Sequence, residues 1–167
     1  MRFKINKIGL YLLIFLTTSS LCLFVVAWVV GGMLYSPARH SLDKPNIPFL
    51  YQDVVLISHS GIHIHGWMFH VDSDSPAVAL FHGARSNRKS MLSRAELLIR
   101  ASYNVLLIDL QAHGESQGDF ISFGAVESWD VKAAISYLKS KYPDKRIGAI
   151  GTSLGGAACL LGSKPVK

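Results

Sequence analysis

Apolar residues fall along this chain in three regimes, and each predicts different structure. From 8 to 35 they run almost unbroken: no side chain is charged, and Thr17, Thr18, Ser19 and Ser20 make the one polar interruption. A bilayer core needs about 20 apolar residues in a helix, so this stretch predicts a helix able to span with some tilt. Residues 37–48 are polar and punctuated by proline, which predicts a linker. Beyond about residue 50, short apolar runs alternate with segments of helical spacing. Residues 53–58 and 62–71, on either side of Ser60-Gly61, predict an antiparallel hairpin. Residues 77–81 (AVALF) and 104–110 (NVLLIDL) are continuous apolar runs of the kind buried on both faces of a parallel sheet. Between them Met91, Ala95, Leu98 and Ala101 recur at helical spacing, with Ser86 or Asn87 as candidate caps. A second helix is predicted from about residue 122 to before Pro143, with Val131, Ala134, Ile135 and Leu138 facing inward. Ile147, Ala149 and Ile150 predict a buried strand, followed by a helix of small residues over 154–161. Strands that alternate with amphipathic helices predict an α/β fold: a mostly parallel sheet covered on both faces.

Composition sharpens this division. Half of the 167 residues are apolar and mean hydropathy is +0.30, with the excess concentrated in 8–35. The organisation expected is a basic segment over 1–7, a transmembrane signal anchor over 8–35, a linker over 36–50 and one globular domain from 51 to 167. The competing reading is a cleaved signal peptide, but its apolar core is about 7–15 residues, and Gly31-Gly32-Met33 makes a poor cleavage site. Arg2, Lys4 and Lys7 precede the span against Arg39 and Lys44 just after it. By the positive-inside tendency this predicts a single-pass membrane protein with a cytoplasmic N-terminus and an exported globular part. Trp28 and Tyr35 suit an interface.

The net charge of +6 does not indicate nucleic acid, because residues 1–44 carry +4 of it. Of the rest, Arg85, Arg88, Lys89 and Arg94 form one local basic group, whose density suits a solvated helix face. Cys22 and Cys159 make no plausible disulfide, and no metal-binding spacing occurs. His63 and His65 fall on one face of a predicted strand, where an exposed or half-buried position is the simpler account. No cofactor is expected.

The candidate chemistry lies at three strand ends. Gly151-Thr152-Ser153-Leu154-Gly155 is a G-x-S-x-G sequence between a predicted strand and a predicted helix, the setting of a nucleophile elbow. Glycine two residues either side suits a backbone too crowded for a Cβ. His82-Gly83-Ala84 follows the 77–81 strand, and Asp109-Leu110-Gln111-Ala112-His113-Gly114-Glu115-Ser116 follows the next. Open α/β sheets place their sites at such C-terminal ends.

In that order and spacing, residues from about 50 to 163 resemble the N-terminal half of the α/β-hydrolase superfamily. The resemblance is nearest its membrane-anchored esterase, monoacylglycerol-lipase-like and serine-aminopeptidase-like members. It implies Ser153 as nucleophile, with the backbone N–H groups of Leu154 and Ala84 as oxyanion donors. It also implies that His82 is structural. At 109–116 the family's usual D-x-R-G-x-G-x-S is altered, with Gln111 for the arginine and Ala112 for the first glycine. Glu127 and Asp130, one helical turn apart, read as a helix-dipole and loop-bonding pair in preference to an acid/base pair.

The family's later acid and histidine have no counterpart after Ser153, where the sequence reads LGGAACLLGSKPVK. All seven histidines lie upstream. A truncated or frameshifted frame, a piece of a split gene and a degenerate protein all fit, and truncation is the expectation. Two functions remain open. One is a membrane-anchored serine hydrolase that cleaves ester or amide bonds of a small-molecule or lipid substrate through an acyl-enzyme on Ser153. The other is an inactive, membrane-tethered protein with an interaction role. With no strand beyond it, 147–150 is also expected to form an apolar sheet edge.

Overall fold

A computed structural model describes residues 6–163. The chain divides into two units, with the boundary between Tyr35 and Ser36.

The first unit is a single helix, α1 (Lys7–Tyr35), of 29 residues. At 1.5 Å per residue it is about 43 Å long, more than a bilayer core of about 30 Å. It is long and apolar enough to cross a membrane, and none of its residues is buried. Asn6 starts it, with Oδ1 accepting from Gly9 N–H at 2.7 Å. Its polar interruption is internally satisfied in part: Thr17 and Thr18 hydroxyls each donate to the Ile14 carbonyl at 2.9 Å. Such back-bonding lowers the penalty of a hydroxyl in an apolar surrounding.

The second unit is built on a five-stranded sheet. Its strands are β2 (Gln52–Ile57), β3 (His63–Phe69), β4 (Ala77–Phe81), β5 (Asn104–Ile108) and β7 (Ile147–Gly151), in the order β2-β3-β5-β4-β7. The hairpin β2–β3 is antiparallel, and β3 pairs antiparallel with β5. Strands β5, β4 and β7 are parallel. Every residue of β4 and β5 is buried. Alternation then divides their side chains between two layers. Val78, Leu80, Val105 and Leu107 meet Met91, Ala95 and Ile99 on one face. Ala79, Phe81, Leu106 and Ile108 join Val131, Ala134, Leu138, Leu154 and Ala158 on the other.

The first face is covered by a 3-10 turn (Arg88–Met91) running into α2 (Leu92–Arg100). Asn87 caps the turn, accepting from Lys89 N–H. The inward stripe is Met91, Ala95 and Ile99, whereas Ala101 ends the helix and is exposed. The opposite face carries α3 (Glu127–Lys141) and α4 (Leu154–Gly162).

Three sequence expectations are corrected. First, β7 is an edge in the sheet of the described residues, so Ala149 and Ile150 are exposed where a buried strand was expected. This matches the apolar edge also anticipated for 147–150. Second, Arg88 belongs to no solvated basic face, being only 3% exposed. Third, the start of the linker is ordered on the domain: β1 (Ala38–Arg39) pairs in parallel with β6 (His113–Gly114).

Candidate active site

Strand β7 ends at Gly151, and α4 begins at Leu154. The turn between them rests on Ser153, whose φ of +51° and ψ of −112° lie outside the conformations L residues ordinarily adopt. Such a residue persists only where its surroundings over-determine it, at a cost of about 1–3 kcal/mol. Here they do. Thr152 N–H donates to Phe81 O at 3.0 Å, and Gly155 N–H reaches His82 O at 3.1 Å. The two glycines are needed sterically. A Cβ on Gly155 would fall against the backbone of Phe81 and His82, and one on Gly151 against Gly155 and Gly156. Ser153 itself is exposed at the C-terminal edge of the sheet.

The loop after β4 lies against this turn: a Cβ on Gly83 would sit 3.6 Å from both Ser153 Cβ and Thr152 O. The backbone N–H groups of Leu154 and Ala84 have no acceptor among the described residues. His82 is fully buried, with Nδ1 2.7 Å from Gly83 O and Nε2 accepting from Leu110 N–H at 3.1 Å. That pattern requires the proton on Nδ1 and a neutral ring. Burial pushes its pKa down to about 3. Both nitrogens are committed to backbone, so His82 ties the ends of β4 and β5 and has no lone pair left for proton transfer.

His113 repeats the arrangement. Its Nδ1 lies 2.8 Å from Gln111 O, its Nε2 accepts from Arg85 N–H at 3.0 Å, and its ring packs edge-on to His82 at 5.0 Å. Burial pushes its pKa down as well. Beside the pair lies an ion network with no local sequence signal. Arg88 bridges Asp109 and Glu115, and its guanidinium covers the Trp67 ring at 4.3 Å. Asp109 also accepts from Arg88 N–H at 2.7 Å and Glu115 N–H at 3.0 Å. Burial pushes the Asp109 carboxyl up, opposed by the Arg88 guanidinium and these N–H groups.

The altered 109–116 loop keeps its shape. Ala112 holds φ +60°, which accounts for the family's glycine there, and a Cβ on Gly114 would strike the Asp109 carboxylate. Gln111 is held through its N–H, which donates to Asp130 at 2.7 Å. The other Asp130 oxygen accepts from Ser58 Oγ at 2.6 Å. Burial pushes the Asp130 carboxyl up to about 7. Glu127 is bonded to Ser122 N–H, the Ser122 hydroxyl and Gly124 N–H. Both carboxylates therefore bond loops, as the sequence suggested. Among the described residues no histidine hydrogen-bonds Ser153.

Comparison with known proteins places this geometry in context. A family profile described as "Serine aminopeptidase, S33" matches residues 72–163. The uncharacterised protein YqkD of Bacillus subtilis is 34% identical over 110 residues, which cover 64% of this chain and 35% of YqkD. Protein phosphatase methylesterase 1 of Schizosaccharomyces pombe is 34% identical over 102 residues, covering 58% of this chain and 30% of that protein. Among solved structures, the Pyrococcus furiosus esterase Pf2001 superimposes with a TM-score of 0.68 at 33% identity, over 76% of this chain and 52% of the esterase. The chain thus spans about a third of those two curated relatives and about half of that esterase.

Proposed function

The chain belongs to the serine aminopeptidase S33 family of the α/β-hydrolase superfamily, and from that premise we propose that it is a membrane-anchored serine hydrolase. The observation that carries the reading is the exposed Ser153, held at positive φ on a strand–helix turn packed against a His-Gly loop. In the proposed reaction Ser153 Oγ attacks the carbonyl carbon of an ester or amide, and its proton passes to a general base that the described residues do not place beside it. The resulting oxyanion accepts from Leu154 N–H and Ala84 N–H, and collapse expels the alcohol or amine, which takes up the proton held by the base. Water then cleaves the acyl-serine, releasing the acid and restoring the hydroxyl. Oxyanion-hole donors are each worth about 2.7–4 kcal/mol in the transition state.

Anchoring through α1 favours esters carried by or near a lipid surface as substrates. A phosphorus electrophile tests the nucleophile directly. A fluorophosphonate probe is expected to label Ser153 of the full chain in detergent micelles and to leave Ser153→Ala unlabelled. The second reading, a tethered interaction protein without turnover, draws on the lack of a histidine bonded to Ser153 among the described residues. A folded chain that labels no better than Ser153→Ala would favour it and overturn the hydrolase reading.

A further inference from the structure

Residues 36–42 carry contacts that the proposed reaction does not use. Ala38 N–H donates to Ala112 O at 2.7 Å, and His40 N–H donates to Gly114 O at 2.8 Å. Leu42 N–H reaches Glu115 Oε1 at 3.2 Å. Two more contacts run to the loop that holds Ala84. Arg85 Nη1 donates to Ser36 O at 3.1 Å, and Asn87 Nδ2 lies 3.0 Å from His40 Nε2.

The His40–Asn87 contact has a fixed polarity. His40 Nδ1 faces Ala38 O at 3.2 Å, so the proton sits there and Nε2 is the acceptor. Asn87 has no freedom to reverse its amide, because Oδ1 accepts from Lys89 N–H at 2.9 Å as the cap of the 3-10 turn. Arg85, next to Ala84, holds φ +55°. Its N–H is bonded to His113 and its guanidinium to Ser36, so a strained residue is pinned from two sides.

We propose that residues 36–42 are a positioning strap, with His40 and the Ser36 carbonyl as its fixing points. The strap clamps the 84–88 loop and so holds Ala84 N–H in place for an oxyanion. The role of Ala84 rests on the reading given under Proposed function, whereas the clamp itself does not. A plain linker would leave the loop indifferent to His40.

Hydrogen exchange on the full chain in detergent micelles tests the clamp without any need for activity. The variants are His40→Ala, Ala38→Pro, which deletes the N–H bonded to Ala112, and His40→Gln, which restores an acceptor near the Nε2 position. Each lost hydrogen bond is worth about 1 kcal/mol, so exchange over 83–90 is expected to quicken about fivefold to tenfold in the first two variants. Exchange in β4 and β5 should be unchanged, and His40→Gln should stay within about twofold of wild type. Fluorophosphonate labelling of Ser153 is expected to slow by a similar factor in His40→Ala and to recover in His40→Gln. Wild-type exchange over 83–90 in both disrupting variants overturns the strap. A loosened loop with undiminished labelling overturns its positioning role. Absence of Ser153 labelling in wild type overturns the hydrolase reading instead, and exchange alone then decides the clamp.

Discussion

Two buried side chains near the site bind protons in opposite senses, and their pH signatures are separable. His82 is held at about 3, below the ordinary histidine value of 6.5. The unfolded chain therefore takes up a proton that the native ring refuses. Its contribution to stability is full above about 6.5 and is lost as pH falls toward 3. Asp130 is held at about 7, above the ordinary 3.8. The native carboxyl keeps its proton while the unfolded one ionises, so this contribution is full below about 3.8 and is lost as pH rises through 7. Asp130→Asn retains both contacts, accepting from Gln111 N–H through oxygen and donating to Ser58 Oγ through nitrogen. Its melting temperature relative to wild type should therefore rise steadily between pH 4 and pH 8. A constant difference across that range would show that Asp130 does not titrate there.

At the scale of the element, the strand–turn–helix around Ser153 is set by its glycines. A methyl on Gly155 meets the Phe81 and His82 carbonyls, which are backbone and held in the sheet edge. Gly155→Ala should destabilise the chain by about 1–3 kcal/mol, the usual range for overpacking. It should also abolish Ser153 labelling, because the turn has to open to admit the methyl group. Denaturant midpoints and probe labelling together check this, and an unperturbed midpoint would contradict the crowding. This turn was legible in the sequence, as were the hairpin, β4, β5 and α4, because each is written in a local run or motif. What escaped was written non-locally. The start of α3 slips from about 122 to Glu127, whose carboxylate closes a turn onto Ser122 and Gly124. Arg88 looked solvated because its acids lie 21 and 27 residues further along. The strap read as a linker because its partners are the 84–88 and 112–115 loops, far from it in sequence. The exposure of β7 follows from its place in the sheet, which apolarity alone does not specify.

At the scale of the molecule, α1 has no buried residue, whereas the unit from Ser36 onward carries its own two-layered core. Leaving α1 in water would expose a continuous apolar cylinder, since side chains such as Leu23 and Trp28 are more than 70% exposed. Transfer of such side chains to lipid is favourable by about 0.3–0.6 kcal/mol for each Leu, Ile, Phe or Val on the insertion scale, whereas arginine at the helix centre opposes insertion by about 2.5–3.5 kcal/mol. Leu21 and Val25 lie one turn apart near the middle of α1, on the same side. The double change Leu21→Arg with Val25→Arg therefore shifts insertion by about 6–8 kcal/mol, while the folded unit from Ser36 onward is left as it is. The wild-type chain should stay with the membrane pellet after alkaline carbonate extraction, and the double variant should pass to the supernatant. A wild-type chain released by carbonate would remove the bilayer from the proposed function and leave the hydrolase reading to stand on Ser153 alone.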